Sequence, residues 1–201
     1  MKHPVSPLRT IADIFRSYAV FDADGRHING CDKQSNHRYG DAYERIISDL
    51  GVGMVGGRRK VSLMMEVGVA DGSSLCAWRE VFPNAHIVGM DIHHSDKAHG
   101  ERIEFHIGDQ RSRDDCVKVA RGRLFDIIVE DATHKLEDSL RTLLFLWPYI
   151  TPGGLYIIEE FEDVGSLGHH IKDLWPNAEV VNTIGPFGGH EPLVVFRKPV
   201  S

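Results

Sequence analysis

The stretch Leu124-Phe125-Asp126-Ile127-Ile128-Val129-Glu130-Asp131-Ala132-Thr133-His134 and its counterpart Gly153-Gly154-Leu155-Tyr156-Ile157-Ile158-Glu159-Glu160 decide the fold. Each is a short apolar run rich in β-branched residues, and each ends in acids. Between them Lys135 to Tyr149 has the length of one crossover helix, so the two runs are predicted to be neighbouring parallel strands. Parallel strands bring their C-terminal tips to one edge of the sheet, where open α/β folds bind ligands. Asp131, Glu159, Glu160 and His134 are therefore expected to meet in one crevice. Three carboxylates and an imidazole there suit a hard divalent cation and a proton acceptor.

Outward from this pair the chain alternates strand and helix. Val61 to Gly68 reads as a strand, Ser73 to Val81 as a helix that Ser73 or Ser74 can cap, and His86 to Ile92 and Arg102 to Ile107 as strands. Ser112 to Ala120 and Leu167 to Trp175 read as helices. Glu179 to Ile184 and Pro192 to Lys198 read as a closing hairpin around Gly185 to Gly189. The expected fold is α/β: a doubly wound, mostly parallel seven-stranded sheet whose C-terminal strand is antiparallel, at an edge. Upstream, Leu8, Ile11, Ile14, Phe15 and Tyr18 mark one face of a short helix. Asp22 to Asn36 reads as loop. Arg38 to Leu50 reads as an amphipathic helix ended by the glycines of Gly51 to Gly57. One domain is expected over 1–201, with an N-terminal helical and lid segment (1–60) and a cofactor-binding core (61–201).

The composition narrows the function. Hydrophobic residues make up 42% and charged residues 26% of the 201, as in an ordinary globular domain. A net charge of −6 offers no overall basic surface to nucleic acid or anionic lipid, and Arg58-Arg59-Lys60 is too short a basic run to change that. Cys31, Cys76 and Cys116 lie far apart with no CxxC, which points to reduced thiols in a cytoplasmic setting rather than disulfides or zinc. The N-terminus lacks the apolar stretch of a signal peptide, and no run reaches membrane-spanning length.

Cofactor signals sit on the strand tips. The turn Glu66-Val67-Gly68-Val69-Ala70-Asp71-Gly72-Ser73-Ser74 places glycines between strand and helix, where a ligand can approach the backbone and free N–H groups. Its Gly68-x-x-x-Gly72 spacing is not the dinucleotide GxGxxG. Glu66, Gly68 and Ser73 are its cofactor candidates. Asp91 ends the next strand and can accept from both ribose hydroxyls, although acids there also cap turns. Gly108-Asp109-Gln110 ends the third; Asp109 can accept from an adenine amino group or serve as a helix cap.

These tips resemble those of class I S-adenosylmethionine-dependent methyltransferases. More narrowly, Cys31-Asp32-Lys33-x-x-x-His37-x-Tyr39-x-x-x-Tyr43, EVGVADGSSL, GDQ, FDIIVEDATH and PGGLYIIEE are similar, in order, to the Mg²⁺-dependent O-methyltransferases of macrolide sugars, the mycinamicin and tylosin type. The resemblance implies Asp131, Glu159 and Glu160 as Mg²⁺ ligands, His134 as general base with Asp131 beside it, and Asp32, His37 and Tyr39 on a lid over cofactor and substrate. It implies S-adenosyl-L-methionine and Mg²⁺ as cofactors, a hydroxylated small-molecule acceptor and, as in many relatives, a homo-oligomer. The sequence departs from the family in Glu130-Asp131-Ala132-Thr133-His134 where an Asp-Asp-Gly-Ser-His block is usual, and in Glu159-Glu160 where Glu-Asp is usual. No counterpart of the large N-terminal domain of some members is expected within these 201 residues. Two other readings share this fold: a metal-dependent hydroxylase of the cephalosporin hydroxylase kind, and a non-catalytic S-adenosylmethionine-binding partner of another enzyme.

Overall fold

The computed structural model describes residues 9–48, 54–55, 58–160, 175, 177–184 and 190–200. The N-terminal part holds α1 (Ile11–Ser17), β1 (Ala19–Phe21), β2 (His27–Gly30), α2 (Tyr39–Ser48), β3 (Met54–Val55) and β4 (Arg58–Arg59). The alternating part follows: β5 (Leu63–Val67), α3 (Ser73–Val81), β6 (His86–Asp91), β7 (Ile103–Ile107), α4 (Arg113–Ala120), β8 (Phe125–Glu130), α5 (Leu136–Leu146), β9 (Ile150–Glu159), β10 (Glu179–Ile184) and β11 (His190–Arg197). The expected helix over 167–175, the glycine stretch 51–57 and the loop 185–189 fall wholly or mostly outside the described residues, as does Leu8.

Seven strands form one sheet in the order β10-β11-β9-β8-β5-β6-β7. The β5–β6, β5–β8, β6–β7 and β8–β9 pairs are parallel, as their apolar runs predict. β11 is antiparallel to both β9 and β10, so the antiparallel strand lies one place in from the edge expected for it. Burial explains the swap. Leu193 to Phe196 are buried throughout, which suits an inner strand, whereas β10 alternates exposed Glu179 and Asn182 with buried Val181 and Thr183. Strand order reverses between β5 and β8, where Gly68 and Asp131 follow the two strand ends.

Alternation along each strand feeds two cores. Met64, Ile87, Ile127, Val129, Leu155 and Ile157 pack with α1, α2 and α3 on one face. Met65, Val88, Met90, Ile128, Tyr156 and Ile158 pack with α4 and α5 on the other. Trp78, buried in the first core, sits edge-on to Phe15 and Tyr43 at 4.8 Å each. Trp147 and Trp175 lean on the second core, partly buried.

Three local readings need correction. The loop over 22–36 contains β2, paired with β1; Asp22 Oδ1 accepts from the Asp24 and Arg26 amides, a turn whose polar residues mask the short strands around it. α3 is capped by neither serine, since its N-cap is Gly72 at φ 86°. α5 ends at Leu146 and tightens into a 3₁₀ turn at Trp147–Tyr149, with Pro148 in its first turn. Cys31, Cys76 and Cys116 are free thiols, as expected. Among the described residues no helix is long and apolar enough to cross a membrane.

Candidate active site

A cavity of about 740 Å³ opens over the C-terminal ends of β5, β6 and β8, at the point where strand order reverses. Its floor is the Gly68 turn. Gly68 has φ 84°, and a Cβ there would lie 2.1 Å from the Asp131 carbonyl oxygen, so only glycine lets the two strand ends close up. Asp91 secures the same turn: Oδ2 accepts from the Val69 and Ala70 amides at 2.9 and 3.1 Å, and Oδ1 from the His93 amide at 2.9 Å. Each carboxylate oxygen carries two lone pairs, so Asp91, which lines the cavity, keeps acceptor capacity toward it.

At the adenine end expected from GDQ, Asp109 and Gln110 both line the cavity. Asp109 spends its carboxylate on Arg111, which donates from Nε and Nη2 at 2.7 to 3.1 Å. Gln110 is buried and donates from Nε2 to Thr133 Oγ1 at 2.8 Å, while its Oε1 has no partner. Gln110 Oε1 is thus unpartnered but buried, whereas the Asp109 carboxylate is partly exposed and engaged by Arg111. Ser73 faces away, bonded to Lys97 Nζ at 3.2 Å beside a second hollow near Ser17 and Cys76; Ser74 takes the place on the cavity wall. Glu66 does not reach the cavity. It is fully buried, accepting from Ser74 Oγ at 2.6 Å and Trp78 Nε1 at 3.3 Å.

The acids divide into two layers. In the inner layer the buried Lys33 ammonium lies 2.6 Å from Glu159 Oε2, 2.7 Å from Asp131 Oδ2 and 3.0 Å from Glu66 Oε1. The other Glu159 oxygen accepts from the buried Tyr43 hydroxyl. Burial pushes both Glu159 and Glu66 above the usual carboxylate range, against the pull of Lys33. Burial also opposes the charge on Lys33, but Asp131, Glu159 and Glu66 outweigh it and hold the amine protonated.

The outer layer faces the cleft. His134 Nε2 lies 4.0 Å from Asp131 Oδ1 and 3.7 Å from Glu160 Oε2, and its Nδ1 has no partner. His37 Nδ1 lies 3.0 Å from Glu160 Oε1 and its Nε2 3.4 Å from Asp32 Oδ2. Burial opposes the charge on His37, yet Asp32 and Glu160 hold its pKa up at about 11, so it is an imidazolium at neutral pH. The hydrogen bond from His37 in turn lowers the Glu160 pKa against its partial burial. The Tyr39 ring, fully buried, stacks on His37 at 5.1 Å. His134 and Glu160 both adopt left-handed backbone conformations (φ 58° and 53°), as does Ala70 on the cavity wall. Such strain in non-glycine residues gathers at ligand sites.

Asp131, Glu160 and His134 are brought together, with His37 and Asp32 of the expected lid segment beside them. Glu159 sits one layer below, and among the described residues no three His, Cys, Asp or Glu side chains are grouped so as to hold a metal ion. Oxygen donors of Asp131 and Glu160 still face the same imidazole, a donor set that suits Mg²⁺, which is often held by one or two carboxylates with water completing its shell. Sequence reasoning missed Lys33 and the Tyr43–Glu159 bond. A signal existed: three acids converging in a closed interior need a cation, and Lys33 stands inside the quoted block.

Residues 65–161 match the family model described as a methyltransferase domain. It is 33% identical over 107 residues to the mycinamicin VI 2''-O-methyltransferase of Micromonospora griseorubida, covering 48% of this chain and 26% of that protein. It is 32% identical over 105 residues to the demethylmacrocin O-methyltransferase of Streptomyces fradiae, covering 48% and 27%. Among solved structures, MycE methyltransferase from the mycinamycin biosynthetic pathway, in complex with Mg, SAH and mycinamycin VI, superposes with a TM-score of 0.68 at 21% identity over 98% of this chain. The chain spans 56% of that MycE chain, and its alignments cover about a quarter of the two curated relatives.

Proposed function

We propose that this chain, as a methyltransferase-domain protein, transfers the methyl group of S-adenosylmethionine to a hydroxyl of a small molecule, a sugar-bearing natural product. The observation that carries the reading is the pairing of a nucleotide-sized cavity at the strand-order reversal with His134 on its wall. The similarity to macrolide sugar O-methyltransferases supports the acceptor class.

In this reading Asp91 accepts from the ribose hydroxyls, the strand tip bearing Asp109 and Gln110 lies at the adenine end, and the Gly68 turn passes beneath the donor. The acceptor oxygen attacks the methyl carbon in line; the C–O bond forms, the C–S bond breaks, and its electron pair stays on sulfur as S-adenosylhomocysteine. The hydroxyl proton goes to His134, whose imidazolium the carboxylates of Asp131 and Glu160 stabilise. His37 clasps Asp32 and Glu160 and so fastens the 31–37 segment of the lid over the cleft. Asp131 and Glu160 would hold Mg²⁺, and the chemistry that it would supply there is to lower the pKa of a hydroxyl and fix its orientation.

Radiolabelled S-adenosylmethionine and a panel of glycosylated macrolides and aromatic polyketides test this. Label is expected in an O-methyl product without any O₂ requirement. No labelled product together with no binding of S-adenosylhomocysteine refutes it.

A further inference from the structure

We infer that Lys33 is the resident cation of this site: its ammonium withholds Glu159 from any divalent ion and leaves Asp131 and Glu160 as the carboxylates open to one. The inference rests on the proposed reading only in taking the outer layer to be the ion's place.

An ammonium has three N–H donors. In Lys33 all three have carboxylate partners, one each from β5, from the residue after β8 and from β9, at 3.0, 2.7 and 2.6 Å. These strands are consecutive in the sheet, so one side chain ties three strand ends together. Both Glu159 oxygens are engaged inside the fold, one by Lys33 and the other by Tyr43, and the residue is 1% exposed, so a divalent ion cannot reach it from the cleft. Mg²⁺ sheds water reluctantly and demands near-octahedral oxygens, which a closed interior already filled by an ammonium does not offer. Asp131 differs because it is split between the layers. Its Oδ2 is pinned by Lys33, and its Oδ1 is turned toward His134. Glu160 follows Glu159 with φ 53°, which carries its carboxylate to the cleft beside His37 and His134. Two adjacent glutamates thus have separate duties: Glu159 positions, Glu160 faces the ligand.

Lys33 also anchors the segment that bears it. Gly30 to Lys33 form part of the cavity wall, and the Lys33 ion pairs, with the His37–Glu160 pair, fix that segment to the sheet edge. Lys33 is therefore a positioning residue for both Asp131 and the wall.

The test is equilibrium ion binding on the intact chain, by calorimetry with Mg²⁺ and by electron paramagnetic resonance with Mn²⁺. Glu159→Gln is expected to keep ion affinity within about threefold, whereas Glu160→Gln is expected to lose on the order of 10- to 100-fold. Lys33→Met removes a neighbouring positive charge and frees Glu159, so it is expected to bind the ion at least about tenfold more tightly. Should wild type bind no ion at millimolar concentration, Lys33→Met must still acquire binding. Equal losses in Glu159→Gln and Glu160→Gln overturn the inference, as does unchanged or absent ion binding in folded Lys33→Met. If Lys33→Met does not fold, the two glutamine variants decide. S-adenosylhomocysteine affinity, measured alongside, separates the outcomes: its absence in wild type refutes the proposed function, while the ion comparison still judges Lys33.

Discussion

Replacing Lys33 by methionine keeps the aliphatic stem and removes only the ammonium. The loss breaks three ion pairs of 3.0 Å or less around a side chain that is 1% exposed. Breaking a buried pair from one side costs roughly 3–5 kcal/mol, because uncompensated charge stays inside. Three pairs do not triple that figure here. Asp131 has solvent on one side, Glu66 keeps Ser74 and Trp78, and Glu159 keeps Tyr43. Glu66 and Glu159 can also take up protons, since burial already raises their pKa values. The expected cost at pH 8 is therefore about 4 kcal/mol, or a melting temperature lower by roughly 8–16 °C for a domain of this size. The pH dependence has a definite sign. An acid whose folded pKa lies above its unfolded value stabilises the fold while protonated, and that contribution is lost as pH rises through the folded pKa. Losing Lys33 raises both folded values further, so the deficit should be wider at pH 8 than at pH 5. Urea unfolding followed by circular dichroism at the two pH values measures it. The double variant Lys33→Met/Glu159→Gln, with one charge fewer to bury, should recover about 2 kcal/mol. A cost below about 1 kcal/mol at pH 8, or an equal deficit at both pH values, would refute the reasoning.

Asp91→Ala should weaken S-adenosylhomocysteine binding by about 1–3 kcal/mol, read by calorimetry; unchanged affinity removes Asp91 from the ribose site. His134→Ala should lower kcat by on the order of 10²–10⁴ while sparing S-adenosylhomocysteine affinity, and a near-native rate would mean that another group accepts the proton. Burial pushes Glu130 up to about 7, with one oxygen unpartnered. Its stabilising contribution is whole below the unfolded carboxylate pKa and fades as pH climbs to about 7, so Glu130→Gln should gain up to about 3 kcal/mol relative to wild type between pH 4 and pH 8; parallel stability curves would contradict this.

The strands were legible because burial on both faces leaves little choice of residue. Phe125-Asp126-Ile127-Ile128-Val129 and Leu155 to Ile158 carry the β-branched runs that a parallel sheet needs, and the crossover length sets their order. The placement of β11 was not legible, because a hairpin signal says which strands pair and not which of the two docks on the sheet. The site divides along the same physical line. Positions fixed by topology, the tips bearing Asp91, Gln110, Asp131 and Glu160, could be read from where their strands end. Positions fixed by electrostatic closure could not. Lys33 lies 98 residues from Asp131 and 126 from Glu159, in a segment whose local pattern says only loop.

That difference bears on how the acidic pair should be read. Side chains of consecutive strand residues point to opposite faces, so where two adjacent acids at a tip go depends on whether the backbone turns there. Here it turns at Glu160, into a left-handed conformation that a glutamate adopts only under constraint. The His37 and His134 contacts supply the constraint on one side, and the Lys33–Tyr43 grip on Glu159 supplies it on the other. A cleft lined by the partly exposed carboxylates of Asp131 and Glu160 is thereby separated from a dry interior that does not tolerate bare charge. The lysine is what lets the two lie one residue apart.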